Sequence, residues 1–283
     1  MSPTEPKNLT FKTSSGLTLQ ADCWGDGERN VVLLHGGGQT RHAWGGAAAS
    51  LARKGWCAYT IDQRGHGESE WSADAHYHID YFAQDMRDVC ATFDQPPVVV
   101  GASLGGVSAL IGEGESEAAV LSALVLVDIT PTVEQAGVER IINFMRAKAE
   151  VGFADLDECA DYVASYLPHR KRPKDNSGLM KNLRLRDDGR YYWHWDPRFV
   201  TDADKRREER DPERLIAAAK RLTCPTLLVR GGSSDLVTEE RAKEFLEYAP
   251  HAEFVDVSGA GHMVAGDKND NFTDAVIGFL AKV

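Results

Sequence analysis

A serine attacks a carbonyl only when a neighbouring base takes its proton and a carboxylate holds that base in the right tautomer. Ser103 has the first of the local signatures for such chemistry. It stands in Gly101-Ala102-Ser103-Leu104-Gly105, behind Val98-Val99-Val100 and ahead of Gly106-Val107-Ser108-Ala109-Leu110. A short β-branched run, a tight turn and a small-residue helix start make the strand–turn–helix context of a nucleophile elbow. So sharp a turn tolerates only small neighbours, and Gly101, Ala102, Gly105 and Gly106 are small. The hydroxyl then stands at a helix N-terminus, where backbone N–H groups and the helix dipole favour a developing oxyanion. Taken alone, the pentapeptide is equally a Gly-rich turn with an incidental serine.

Partners for the serine are found at the exits of other apolar runs, where an open parallel sheet gathers its functional groups. Asp235 follows Gly231-Gly232-Ser233-Ser234, directly after the run 227–230, and His262 follows Ser258-Gly259-Ala260-Gly261 after 254–257. Asp128 also ends a run, 123–129, and competes for the histidine. There, however, the chain leaves at once through Ile129-Thr130-Pro131, whereas Asp235 sits on a flexible turn 27 residues before His262, room for one helix and one strand. Asp235 is therefore expected to orient His262, and Asp128 to tie down the chain exit. Gly36-Gly37-Gly38, after the run 30–34 and His35, lets backbone approach a substrate oxygen with no Cβ in the way. Asp62, Arg64 and His66 read as structural turn residues, and His42 as packing.

The elements that must hold these groups alternate. Strands are expected at 9–12, 17–24, 30–34, 56–61, 98–100, 123–129, 226–230 and 253–257, and helices over 48–54, 77–93, 239–248 and 271–281. Strand alternating with helix implies a mostly parallel sheet covered on both faces. The rhythm breaks between Thr132 and Leu222, where no β-branched run occurs and 138–149 and 156–167 look amphipathic. That stretch is expected to be a helical cap (132–222) inserted into a core made of 1–131 and 223–283. Its aromatic run Tyr191-Tyr192-Trp193-His194-Trp195, with Phe144 and Met145, makes some of these residues candidates for lining an apolar pocket. The basic His169–Lys174 stretch reads as a solvated loop.

Composition narrows the partners. The 283 residues carry a net charge of −11, which disfavours a nucleic-acid surface or a basic membrane patch. Five scattered cysteines without a C-x-x-C pair fit reduced thiols in a cytoplasmic protein. The polar start of the chain lacks an apolar signal core, and no apolar run is long enough to span a bilayer. There is no H-E-x-x-H or phosphate-binding loop, so neither a metal nor a nucleotide is expected.

With its motifs in this order, His35-Gly36-Gly37-Gly38, Asp62-Gln63-Arg64-Gly65-His66-Gly67, the elbow, Gly232-Ser233-Ser234-Asp235 and Gly259-Ala260-Gly261-His262, the chain resembles the α/β-hydrolase fold family over nearly its whole length. The resemblance is to serine-nucleophile members with a cap. It implies Ser103 as nucleophile, His262 as general base and then acid, Asp235 as the orienting carboxylate, and an oxyanion hole from the N–H groups of Gly37 and Leu104, with Gly36 and Gly38 beside the substrate. It also implies hydrolysis of a small carboxylic ester, lactone or thioester through an acyl-enzyme, without a cofactor, on a small-molecule substrate carrying an apolar group. The same triad is shared by cofactor-free perhydrolases and carbon–carbon bond hydrolases, and some members of the fold act as small-molecule receptors. Fold alone does not choose among these. Oligomeric state cannot be read from the sequence.

Overall fold

Each central strand divides its side chains between two cores, and that alternation builds the molecule. A computed structural model describes residues 5–167, 175–202, 211–262 and 269–283. In chain order the elements are β1 (Lys7–Lys12), β2 (Thr18–Trp24), β3 (Arg29–Leu34), α1 (Gly45–Arg53), β4 (Trp56–Ile61), α2 (Ile79–Cys90), β5 (Val98–Ala102), α3 (Leu104–Gly114) and β6 (Ala123–Val127). Next come α4 (Gln135–Ala147), α5 (Leu156–Tyr166), β7 (Leu183–Leu185), β8 (Tyr191–Trp193), α6 (Arg198–Thr201) and α7 (Pro212–Lys220). The chain ends with β9 (Thr226–Gly231), α8 (Glu239–Tyr248), β10 (Glu253–Val257) and α9 (Asn269–Leu280).

Eight strands form one sheet in the order β1-β2-β4-β3-β5-β6-β9-β10. β1 and β2 are an antiparallel hairpin on one edge, and β4, β3, β5, β6, β9 and β10 run parallel to one another. Val32, Val99, Leu124, Leu126 and Leu228 point to one face, where α2, α3, α7 and α8 pack. Val31, Val100, Val125, Leu227 and Val229 point to the other, against α1 and α9. Strands buried on both faces need continuous apolar runs, which is why they were legible as such. Among the described residues, no helix is long and apolar enough to cross a membrane.

The stretch 132–222 differs from its sequence reading in two respects. It contains a two-stranded antiparallel sheet, β7–β8, in the register Leu183↔Trp193, closed by a turn in which the Arg186 N–H bonds the Arg190 carbonyl. Such three-residue strands have no β-branched run to announce them. In addition, α7 joins the core layer: Leu215, Ala218 and Ala219 pack with α3, and a Cβ on Gly114 would lie 2.4 Å from the Ala218 carbonyl oxygen. Within the stretch, Met145, Phe153, Cys159, Leu183, Trp193, Trp195 and Val200 form a separate apolar cluster. The basic loop at 169–174 lies outside the described residues.

Candidate active site

The elbow is built by close backbone packing. A Cβ on Gly101 would lie 2.5 Å from backbone atoms of Gly105, one on Gly105 2.5 Å from the Leu34 carbonyl oxygen, and one on Gly106 2.4 Å from Ile129. Only glycine permits α3 to start this near the sheet. The turn leaves Ser103 at φ 45, ψ −111, a backbone state that costs a non-glycine residue about 1–3 kcal/mol. Its N–H bonds the Val127 carbonyl at 3.2 Å, which ties the serine to the end of β6.

His262 approaches from the loop after β10. Its Nδ1 donates to Asp128 Oδ2 at 2.6 Å. Asp128 is fully buried, adopts φ 50, and also accepts the Gly231 N–H on Oδ1 (2.9 Å) and the Ser234 hydroxyl on Oδ2 (2.6 Å). Nδ1 being the donor, Nε2 is the nitrogen left to act as base. Asp235 is not on the histidine. Its carboxylate pairs with Arg140 of α4 at 2.7 Å, both side chains being substantially exposed. The reason lies in the turn after β9. A Cβ on Gly231 would lie 2.2 Å from the Gly261 carbonyl oxygen, so the two loops touch backbone to backbone. Ser234 is thereby turned inward to Asp128, and the next side chain, Asp235, faces outward to α4. Asp128, and not the expected Asp235, is thus the carboxylate in contact with His262. An aspartate closing the otherwise apolar Ala-Leu-Val-Leu-Val-Asp was the signal for Asp128.

The glycine loop is held from every side. The Gly36 N–H bonds the Gln39 side-chain oxygen (3.0 Å), and a Cβ on Gly36 would lie 3.4 Å from Ser103 Cβ. The Gly38 N–H bonds His66 Nε2 (3.1 Å), and the Gly38 carbonyl accepts from His194 Nε2 (3.3 Å). His194 Nδ1 in turn accepts the Gly67 N–H at 2.6 Å. Within this loop, the Gly37 N–H is the amide with no acceptor among the described residues; the N–H of Leu104 opens α3 beside it. Burial pushes His35 down to about 4 and His66 to about 3, and lowers His194 far below the ordinary histidine range. All three rings are neutral struts with fixed tautomers. Gln39 and His194 were not singled out as site residues by sequence; a histidine between two tryptophans was the available hint for the latter.

These groups line one cavity of about 1050 Å³. Ser103, Leu104, Gly36, Gly37, Gly38 and His262 border it, as do Phe144, Met145, Trp193 and Trp195. The aromatic ones also pack on one another: Trp193 stacks on Trp195 (4.8 Å, 13°) and lies 5.9 Å from Phe144, which stacks in turn on Tyr166 (4.1 Å). Tyr191 and Tyr192 do not border the cavity; Tyr192 bonds Asp188 instead. Phe199 of α6 sits against the glycine loop, 3.3 Å from where a Gly37 Cβ would be. Among the described residues, no group of three or more His, Cys, Asp or Glu side chains is placed to hold a metal ion.

A parallel sheet with an elbow serine, a strand-end histidine on a buried carboxylate and a glycine loop beside them is the arrangement of an α/β hydrolase. The model of the Alpha/beta hydrolase family matches residues 31–275, and the chain belongs to that family. It is 31% identical over 268 residues to the esterase Rv0045c of Mycobacterium tuberculosis, covering 91% of this chain and 84% of the relative. It is 30% identical to the mouse sn-1-specific diacylglycerol lipase ABHD11, covering 89% and 80%. The solved structure of the Mycobacterium tuberculosis esterase superposes with a TM-score of 0.77 at 27% identity, covering 98% of this chain and 93% of the other.

Proposed function

We propose that this chain is a serine hydrolase that cleaves carboxylic esters of apolar small molecules through an acyl-enzyme. The observation that carries the reading is the His262–Asp128 bond at 2.6 Å within a cavity that Ser103 and the Gly37 N–H also border. Membership of the family and likeness to an esterase and a lipase support hydrolysis of ester bonds. In this reading Ser103 Oγ attacks the ester carbonyl as His262 Nε2 takes its proton. The carbonyl oxygen becomes an oxyanion held by the N–H groups of Gly37 and Leu104. Asp128 fixes the Nε2-basic tautomer and stabilises the imidazolium. The intermediate collapses, the C–O bond to the alcohol breaks, and His262 returns the proton to the departing oxygen. Water then attacks the acyl-serine with His262 again as base, releasing the acid and restoring Ser103. The cap stretch, with its aromatic cluster over Ser103, excludes water from these steps.

Replacing Ser103 by alanine tests this. Hydrolysis of a short p-nitrophenyl ester is expected to fall by about 10³-fold or more with the fold retained. Intact-mass measurement after phosphonate treatment is expected to place one adduct on Ser103. An active, labelled alanine variant would remove the proposal, as would an enzyme that consumes dienone ring-cleavage products and no ester.

A further inference from the structure

The residues bordering the cavity fall into two groups about Ser103. One group is the aromatic cluster under β7–β8. The other descends along α3. Leu104, Val107 and Ile111 border it at i, i+3 and i+7, one face of the helix, with Ile79 at the start of α2 and Leu215 of α7 opposite. Val107, Ile111 and Leu215 are nearly inaccessible from outside, at 5%, 1% and 7% exposure, yet they face the cavity, so this arm is interior. Its far end is crossed by Arg214, which donates to Glu115 at 2.6 and 2.8 Å and to Asp80 at 2.5 Å. An apolar arm that begins one residue past the nucleophile and ends at this partly exposed charged bar has a fixed apolar length.

We propose that this arm seats the acyl chain of the ester and sets its length; the inference rests on the acyl-enzyme reading above. Chemistry chooses the acyl side. The alcohol leaves first and must clear the site before water enters, which a long, interior apolar arm would hinder. The acyl group stays bonded to Ser103 until the second step. His262, which protonates the alcohol, lies with Asp235 and Arg140 at the border of the cavity that reaches exposed side chains. The seven steps from Leu104 to Ile111 rise about 10 Å, and an extended chain advances about 1.2 Å per bond, so the arm holds about eight carbons. Val107, Ile111 and Leu215 then determine chain-length specificity, and the Arg214–Glu115–Asp80 bar sets the limit.

The test is a series of p-nitrophenyl esters from acetate to hexadecanoate, read as kcat/KM. The expected profile rises by roughly two- to fourfold per methylene up to about octanoate and then falls. Val107→Phe and Leu215→Phe, which enter the arm from different helices, are each expected to lower the octanoate-to-acetate ratio by about tenfold or more. Thermal melts identify a variant that fails to fold, and either variant suffices. Arg214→Ala removes the bar and is expected to move the maximum to longer chains. A flat profile, an unchanged ratio in a folded Phe variant, or an equal gain from lengthening the alcohol in alkyl acetates overturns the arm as an acyl seat. If phosphonate labels Ser103 while the profile is flat, the arm alone fails. If no ester is turned over and Ser103 stays unlabelled, the acyl-enzyme reading fails and the arm with it.

Discussion

Asp128 and Asp235 stand at the ends of adjacent parallel strands, β6 and β9, and differ in almost everything but residue type. Asp128 is sealed from solvent and accepts hydrogen bonds from a backbone amide, a hydroxyl and His262. Asp235 is 37% exposed at its side chain and answers a single arginine that is itself 56% exposed. A buried carboxylate with three donors is held in one orientation, which is what a histidine-orienting group requires. A solvent-exposed ion pair is worth about 0–1 kcal/mol and orients little. Strand-end position therefore nominates a carboxylate, and burial with donors decides which one acts.

Substitutions at these two strand ends can break the comparison or sharpen it. The largest expected effect is from Asp128→Asn. Its oxygen can keep the Gly231 amide, but its NH₂ then faces His262 Nδ1 and forces the proton onto Nε2, the wrong tautomer for a base. A fall in kcat of about 10³–10⁴-fold is expected, with the protein still folded by circular dichroism. Ser234→Ala removes one of the donors to Asp128 and the oxygen that accepts the Leu236 and Val237 amides. One hydrogen bond to a charged group corresponds to about a tenfold loss in kcat, with a melting temperature lowered by a few degrees. The smallest effect belongs to Asp235→Asn, for which kcat is expected to stay within about threefold of the parent. Should Asp235→Asn prove more damaging than Asp128→Asn in well-folded proteins, the roles return to those that the spacing and the flexible turn around Asp235 indicated.

Much of this was legible because it is local. β4, α8 and β10 fall where periodicity and apolar runs put them, and the elbow's small residues are the ones that close packing demands. That Asp128 rather than Asp235 meets His262 was not legible, since it is set by the contact of Gly231 with Gly261, thirty positions apart in sequence and decided only by folding. The same holds for the glycine loop, whose fixity comes from His66 and from His194 in another part of the chain. The β7–β8 hairpin was missed for a different reason. Asp188-Gly189 was a usable turn signal, with Gly189 at φ 77, but its strands are too short for alternation to register.

The histidine struts also bear on which side of the cavity is fixed. Residues 193–199 are fastened to the core by the bonds of His194 to Gly38 and Gly67, of the Asp196 N–H to Gly65 at 2.9 Å, and of Tyr77 to the Asp196 carboxylate at 2.7 Å. Lifting this side off Ser103 would pull the glycine loop out of shape and leave buried polar groups without partners. On the other side, α4 meets the turn after β9 through the exposed Arg140–Asp235 pair, which water replaces at little cost, and at its N-terminal end through the Glu134 N–H bond to the Leu236 carbonyl and the close packing of Gly137 on Asp235. In the proposed mechanism, the 193–199 side is therefore the fixed wall of the cavity, and the Gly36–Gly38 loop keeps its shape from one turnover to the next.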